Sequence, residues 1–226
     1  MKEFCIKRAM CAEFLGSLFL LLIVNGVIIM FDGVQNGDGR DLLITSAIAV
    51  PAILFVIIEI FGPISDAHFN PLVTMISFFD KKITAINSLL YVITQFLGGM
   101  VGLIFSHLMF YHESGGIAFI SEVTRTDFTY FSEVIVTFML ILAILILGQT
   151  KTDKSSFIIP LLVGANILST SSTMFANPQV TFARIFTNSP AGIRPIDGFI
   201  FIAMQLLGAL LAYLVFALVF KNRNCN

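Results

Sequence analysis

The sequence predicts an all-α membrane protein: six transmembrane helices plus two re-entrant half-helices, arranged as an inverted repeat. Three observations predict it. Of the 226 residues, 57% are apolar and only 12% are charged, about half the roughly 25% charge of a soluble domain, and the mean hydropathy is +0.94. Six apolar stretches reach or approach the ~20 residues a helix needs to cross the hydrocarbon core. Two Asn-Pro pairs recur in halves of the chain that echo one another. Spanning strands are excluded, because the apolar runs are continuous and do not alternate with a period of two.

The spans fall at roughly 10–31, 42–61, 83–111, 130–148, 157–171 and 198–220. The first is too long for a signal peptide and lacks its small-residue cleavage site. The fifth is short and runs into Ser169-Thr170-Ser171-Ser172-Thr173. Lys2, Lys7, Arg8, Lys81, Lys82, Lys151, Lys154, Lys221 and Arg223 flank one side of this arrangement, against Arg40, Arg125, Arg184 and Arg194 on the other. The positive-inside rule then makes both termini cytoplasmic, in a multi-pass protein of the cell membrane. A net charge of −1 offers no basic face for a nucleic acid. Cys5, Cys11 and Cys225 lie near the termini without metal-ligand spacing, so they read as free thiols, with no cofactor or metal expected.

The two halves match three times in the same order. Ala12-Glu13-Phe14-Leu15-Gly16-Ser17 is answered by Ser132-Glu133-Val134-Ile135-Val136-Thr137. His68-Phe69-Asn70-Pro71-Leu72-Val73-Thr74 is answered by Phe175-Ala176-Asn177-Pro178-Gln179-Val180-Thr181, and Gln95-Phe96-Leu97-Gly98-Gly99 by Gln205-Leu206-Leu207-Gly208-Ala209. Each half carries three spans, so the second must be inverted in the bilayer. The repeats run over about 8–112 and 128–221 of one transmembrane domain, 1–226. Inverted repeats place a solute path at the midplane, where broken helices meet.

Each Asn-Pro pair reads as the start of a half-helix, Pro71 to about Phe79 and Pro178 to about Phe186. Proline in the first turn gives up no hydrogen bond, and asparagine before it is a strong N-cap. Non-helical backbone at this depth is tolerated where it lines a cavity or is buried in protein. Two such helices meeting tip to tip would bring two positive dipole ends, each about half a charge, to the membrane centre. Cations would be repelled there while the Asn70 and Asn177 amides donate to a passing neutral molecule. Gly98, Gly99 and Gly102, with Gly16, Gly208 and Ala212, provide small faces for close helix packing.

On these paired motifs the chain resembles the aquaporin and aquaglyceroporin (major intrinsic protein) family, from Glu13 to about Phe220. The resemblance implies a pore within each subunit and a homotetramer in the bilayer. It implies that Glu13 and Glu133 are buried braces for the two re-entrant loops. It also implies a ladder of main-chain acceptors at Asp66, Ala67 and His68 and at Thr173, Met174 and Phe175. His68, without a partner at ligand spacing, reads as a vestibule residue. Glu59 and Asp66 also stand out; Asp66, where the family usually has Gly, reads as a solvated acid at a wide mouth, with a pH-sensitive vestibule formed by Asp66 and His68 as the alternative.

The chain departs from the family pattern in three places. Alanine usually follows each Asn-Pro, but Leu72 and Gln179 stand here, and the larger side chains should alter spacing at the pore centre. The arginine usual three residues after the second asparagine is replaced by Val180. Arg184, about one turn further on, is expected to stay out of the pore. A gapless count puts the remaining constriction residues at Val50, Ala165 and Met174. An apolar ring of Val50, Ala165, Met174 and Val180 would be wider than a water filter. It points to a channel for small neutral solutes, glycerol-like polyols or undissociated metalloid acids, with water. The alternatives are a secondary transporter of a small solute, a strict water channel, or a non-conducting scaffold. An enzyme finds no support, for no phosphate loop, metal-spaced histidine pair or activated nucleophile is present.

Overall fold

A computed structural model describes residues 6–34, 39–114, 116–117, 120–150 and 152–221. Lys2, Cys5, Lys151, Arg223 and Cys225 lie outside the described residues, and Cys11 is an exposed free thiol. Among the described residues eight α-helices follow one another: α1 (Ile6–Ile29), α2 (Gly39–Ser65), α3 (Pro71–Phe79), α4 (Ala85–Met109), α5 (Asp127–Thr150), α6 (Ser155–Ser169), α7 (Pro178–Arg184) and α8 (Pro195–Val215). Short π-helical turns extend α1 over Met30–Val34 and α8 over Phe216–Phe220. The described residues contain no strand.

Among the described residues, five helices are long and apolar enough to cross a membrane. The sixth apolar helix, α6, has 15 residues, or about 22 Å at 1.5 Å per residue, short of a ~30 Å hydrocarbon core. Its chain continues as non-helical backbone from Thr170 to Asn177 before α7 begins. The exterior is apolar, and several polar side chains are buried beside a hydrophobic core. Ile48, Leu89, Leu168 and Leu210 are exposed, while Glu13, Gln95, Glu133 and Gln205 are fully buried. An apolar exterior of this extent suits lipid and not water.

Missing side chains set the tightest packing. A Cβ on Gly98 would collide with the Phe14 carbonyl oxygen of α1, and one on Gly102 with the Leu18 carbonyl oxygen. On the other half, a Cβ on Gly208 would meet the Val134 carbonyl of α5. Backbones in contact gain dispersion energy that lipid tails cannot supply through the hydrophobic effect. The small faces read from the sequence therefore join α1 to α4 and α5 to α8. These pairs carry the buried carboxyls that hold the two broken segments.

Candidate functional site

Both short helices start where the Asn-Pro pairs place them. Asn70 and Asn177 are N-caps with extended backbones, and their side-chain oxygens accept from Leu72 N and Gln179 N. The helix α3 ends at Phe79, as the sequence predicts. The helix α7 stops at Arg184, short of Phe186, because Ile185 N and Phe186 N switch to bonds with Phe182 O and Ala183 O. That tightening is the usual end of a helix whose last turn becomes 3₁₀-like.

The stretches before these caps share one backbone path. Asp66, Ala67 and Phe69 have φ of 63°, 50° and 45°, and Thr173, Met174 and Ala176 have 58°, 52° and 46°. Left-handed residues with a Cβ cost about 1–2 kcal/mol each, so something must hold them. In the first loop Ala67 N donates to Ser65 Oγ, and His68 N and Phe69 N donate to the two oxygens of Glu13 at 2.9 and 2.8 Å. In the second, Met174 N donates to Ser172 Oγ, and Phe175 N and Ala176 N donate to Glu133 at 3.1 and 2.9 Å. With the N–H groups turned into protein, the carbonyls of Ala67, His68, Thr173, Met174 and Phe175 receive no bond among the described residues. All five residues line a cavity of about 380 Å³.

The three sequence matches meet in one network per half. Gln95 Nε2 donates to Glu13 at 2.7 Å and to Thr74 Oγ1 at 3.0 Å, and the Thr74 hydroxyl donates to Asn70 O. Gln205 Nε2 likewise donates to Glu133 at 2.6 Å and Thr181 Oγ1 at 2.8 Å, and Thr181 donates to Asn177 O. The halves are then stitched together. Asn70 Nδ2 donates to Ala176 O at 2.9 Å, and Asn177 Nδ2 donates to Phe69 O at 2.8 Å. A carboxamide nitrogen has two hydrogens, so each retains one, and both asparagines line the cavity. Sequence reading missed Phe69 and Ala176 as the acceptors of this cross-link. Their place one residue before each asparagine was the available signal.

The rest of the wall is largely apolar. Leu20, Val24, Val50, Leu140, Val163 and Val180 line it, and Met174 joins from the second loop. Ala165 does not. It is exposed on the outside of α6, whose residues in the cavity wall are Ser155, Ile159, Val163 and Ile167. Ala165 sits two residues from Val163 and Ile167, roughly 200° around a helix that turns 100° per residue, so the gapless count chose the wrong face. Leu72 is buried with Ile76, Ile141 and Leu145, away from the cavity. Gln179 is also buried, its Oε1 packed where a Gly99 Cβ would be. The expected change of spacing at the pore centre therefore has no side chain in the lumen to cause it.

His68 and Asp66 also line the cavity. The His68 ring is held on α3, with Nδ1 3.1 Å from Thr74 Oγ1 and Nε2 3.2 Å from Ser77 Oγ. Arg184, expected outside, reaches the cavity wall, buried and stacked 3.8 Å from the Phe175 ring centroid. It bends there because its Nε donates to Ala191 O in the segment after α7. Arg125, from the connection between α4 and α5, lines the same end.

The profile described as "Major intrinsic protein" matches residues 1–176. The aquaglyceroporin AqpS of Rhizobium meliloti (strain 1021) is 36% identical over 212 residues, covering 94% of this chain and 90% of that protein. The aquaglyceroporin of Toxoplasma gondii (strain ATCC 50611 / Me49) is 30% identical over 189 residues, or 82% and 67% of the two chains. In three dimensions the aquaglyceroporin from Plasmodium falciparum superposes with a TM-score of 0.69 at 20% identity, covering 96% of this chain and 97% of that one, which establishes a shared fold. With the profile covering most of the sequence and the Asn-capped half-helices cross-linked around a cavity, the chain belongs to the major intrinsic protein family.

Proposed function

We propose that the protein is a passive channel for small neutral solutes, glycerol-like polyols and undissociated metalloid acids, with water as companion. The observation that carries this reading is the mixed lining of the lumen. Unbonded carbonyls and the two cross-linked asparagines supply its polar groups, and aliphatic side chains supply most of the remaining wall. A polyol carries the same two kinds of surface, hydroxyls and C–H, and exchanges its hydration for these acceptors and donors. A cation finds no ligand cage to replace its shell, and the N-terminal ends of α3 and α7 add a positive field of about half a charge each against it.

In this reading Val50, Ile167, Met174 and Val180 form the constriction, and Glu13 and Glu133 hold the loops. The cytoplasmic termini, the placement in the cell membrane, the inverted repeats over about 8–112 and 128–221 and the homotetramer belong to the same proposal. Proteoliposomes and stopped-flow light scattering test it with water, glycerol, urea and a neutral metalloid acid. Glycerol uptake with a low activation energy and no dependence on an ion gradient is the expected result. Swelling in water alone, with no solute above water size admitted, would refute the wide-filter reading. Saturable uptake driven by an ion gradient would replace the channel by a transporter.

A further inference from the structure

Two arginines stand at one end of the cavity without a salt-bridge partner among the described residues, although the Glu133 carboxyl lies within electrostatic reach of both. Arg184 is the last residue of α7, and Arg125 enters from the α4–α5 connection. Their guanidinium carbons lie 3.8 and 5.4 Å from the centroid of one ring, that of Phe175. Consecutive carbonyls anchor them, since Arg184 Nε donates to Ala191 O and Arg125 Nη2 to Gly192 O at 3.0 Å. Arg184 is only 6% exposed, and what it does expose belongs to the cavity wall.

Neither arginine forms a salt bridge among the described residues. Of the acids near this end, Asp197 is occupied by Arg194 at 3.0 and 2.9 Å and by the Tyr130 hydroxyl and Arg125 backbone N–H, and Glu133 is occupied by Phe175 N, Ala176 N and Gln205 Nε2. Arg184 has five N–H groups. One goes to Ala191, and the other four meet no protein acceptor among the described residues. Arg125 Nε is buried and also lacks an acceptor. A desolvated charge with its donors unfilled is costly, and a stacked ring offsets at most about 2 kcal/mol of that. Both groups therefore keep N–H donors that no protein acceptor fills, on residues that line the cavity.

We propose that Arg125 and Arg184 form an oxyanion-binding site at this mouth, taking small carboxylates and phosphate-like anions in the planar two-pronged geometry of guanidinium. The bound anion stops there, because the next side chains inward, Met174 and Val180, offer no donor. The site stands on the arginine geometry alone. Its consequence rests on the channel reading: an occupied site lies across the path and slows neutral solutes.

Inorganic phosphate is the probe, compared with chloride at equal ionic strength. Equilibrium dialysis measures its binding to detergent-purified protein, and glycerol uptake is followed in proteoliposomes carrying phosphate on both sides. The expected result is saturable binding by the native chain, weakened at least about tenfold in both R125Q and R184Q, with R125K between because it keeps charge but loses the fork. Size-exclusion profiles show which variants are folded, and R125Q alone suffices if R184Q is not. Equal phosphate binding by native protein and R125Q, or none by either, overturns the proposal. Phosphate binding that R125Q abolishes, in a protein that passes no solute, leaves the anion site standing and removes the channel reading instead.

Discussion

Replacing Glu133 by alanine removes one carboxyl and strands the donors it holds, so its cost follows from three hydrogen bonds. Phe175 N and Ala176 N lose their acceptor outright, while Gln205 Nε2 keeps Thr181 Oγ1 at 2.8 Å. Each buried backbone N–H left unpaired costs about 1–3 kcal/mol, which gives roughly 2–6 kcal/mol for E133A. E133Q keeps one acceptor oxygen and should lose about half as much, roughly 1–3 kcal/mol by the same rule. At about 2–4 °C per kcal/mol for a chain of this size, E133A should melt roughly 4–24 °C below the native protein, with E133Q between them. Size-exclusion after graded heating in detergent reads that order. The loop released by E133A carries Ala176 O, the acceptor of the Asn70 amide, so glycerol flux should fall with stability. If E133A melts and conducts like the native chain, Glu133 is not the brace and the network argument is wrong.

Two further perturbations test the wall itself. V180R should place a cation at the constriction and reduce glycerol flux more than water flux, read as the ratio of the two permeabilities; an unchanged ratio would remove Val180 from the filter. A165L should leave both fluxes unaltered because Ala165 faces outward, whereas I167A should raise glycerol permeability by widening the lumen. The opposite pattern in stopped-flow traces would restore the position that gapless counting chose.

What the sequence made legible is what repeats. Glu13, Asn70, Thr74 and Gln95 are each matched by a partner in the second half, and hydrogen bonds join them in the structure. The half-helix starts were legible for a local reason, since an Asn cap and a Pro in the first turn act within a few residues. The α6 face was not legible. Its register is set by where non-helical backbone begins at Thr170, and one residue of error turns a side chain by about 100°. Arg184 was misjudged because its position depends on the Ala191 carbonyl, contributed by a loop with no periodicity. Arg125 lies in another such loop, whose contacts with Gly192 and Phe175 are long-range. Sequence patterning reports faces of regular elements, and the mouth is built from irregular ones.

The third position of the second Asn-Pro motif offers a sharper test of packing than any single substitution. Gln179 replaces the small residue usual in the family without entering the lumen, and the space it occupies is vacated by Gly99 on α4. Gln179 Oε1 is buried without a donor, and its Nε2 reaches Phe69 O at 3.4 Å. G99A would drive a Cβ into Oε1, and Gln179 could yield only by leaving Phe69 O, which Asn177 also holds. Overpacking of this kind costs about 1–3 kcal/mol. In a Q179A background the nearest of the remaining atoms is Leu21 Cγ, at 3.6 Å, an ordinary van der Waals contact. Removing a helical glycine then stabilises by about 0.5–1 kcal/mol. G99A should therefore lower thermal stability in the native chain and raise it in Q179A. A coupling of about 1–3 kcal/mol is in the range of residues that touch. Additive effects of the two substitutions would mean that Gly99 and Gln179 do not share this space, and the room for Gln179 would need another source.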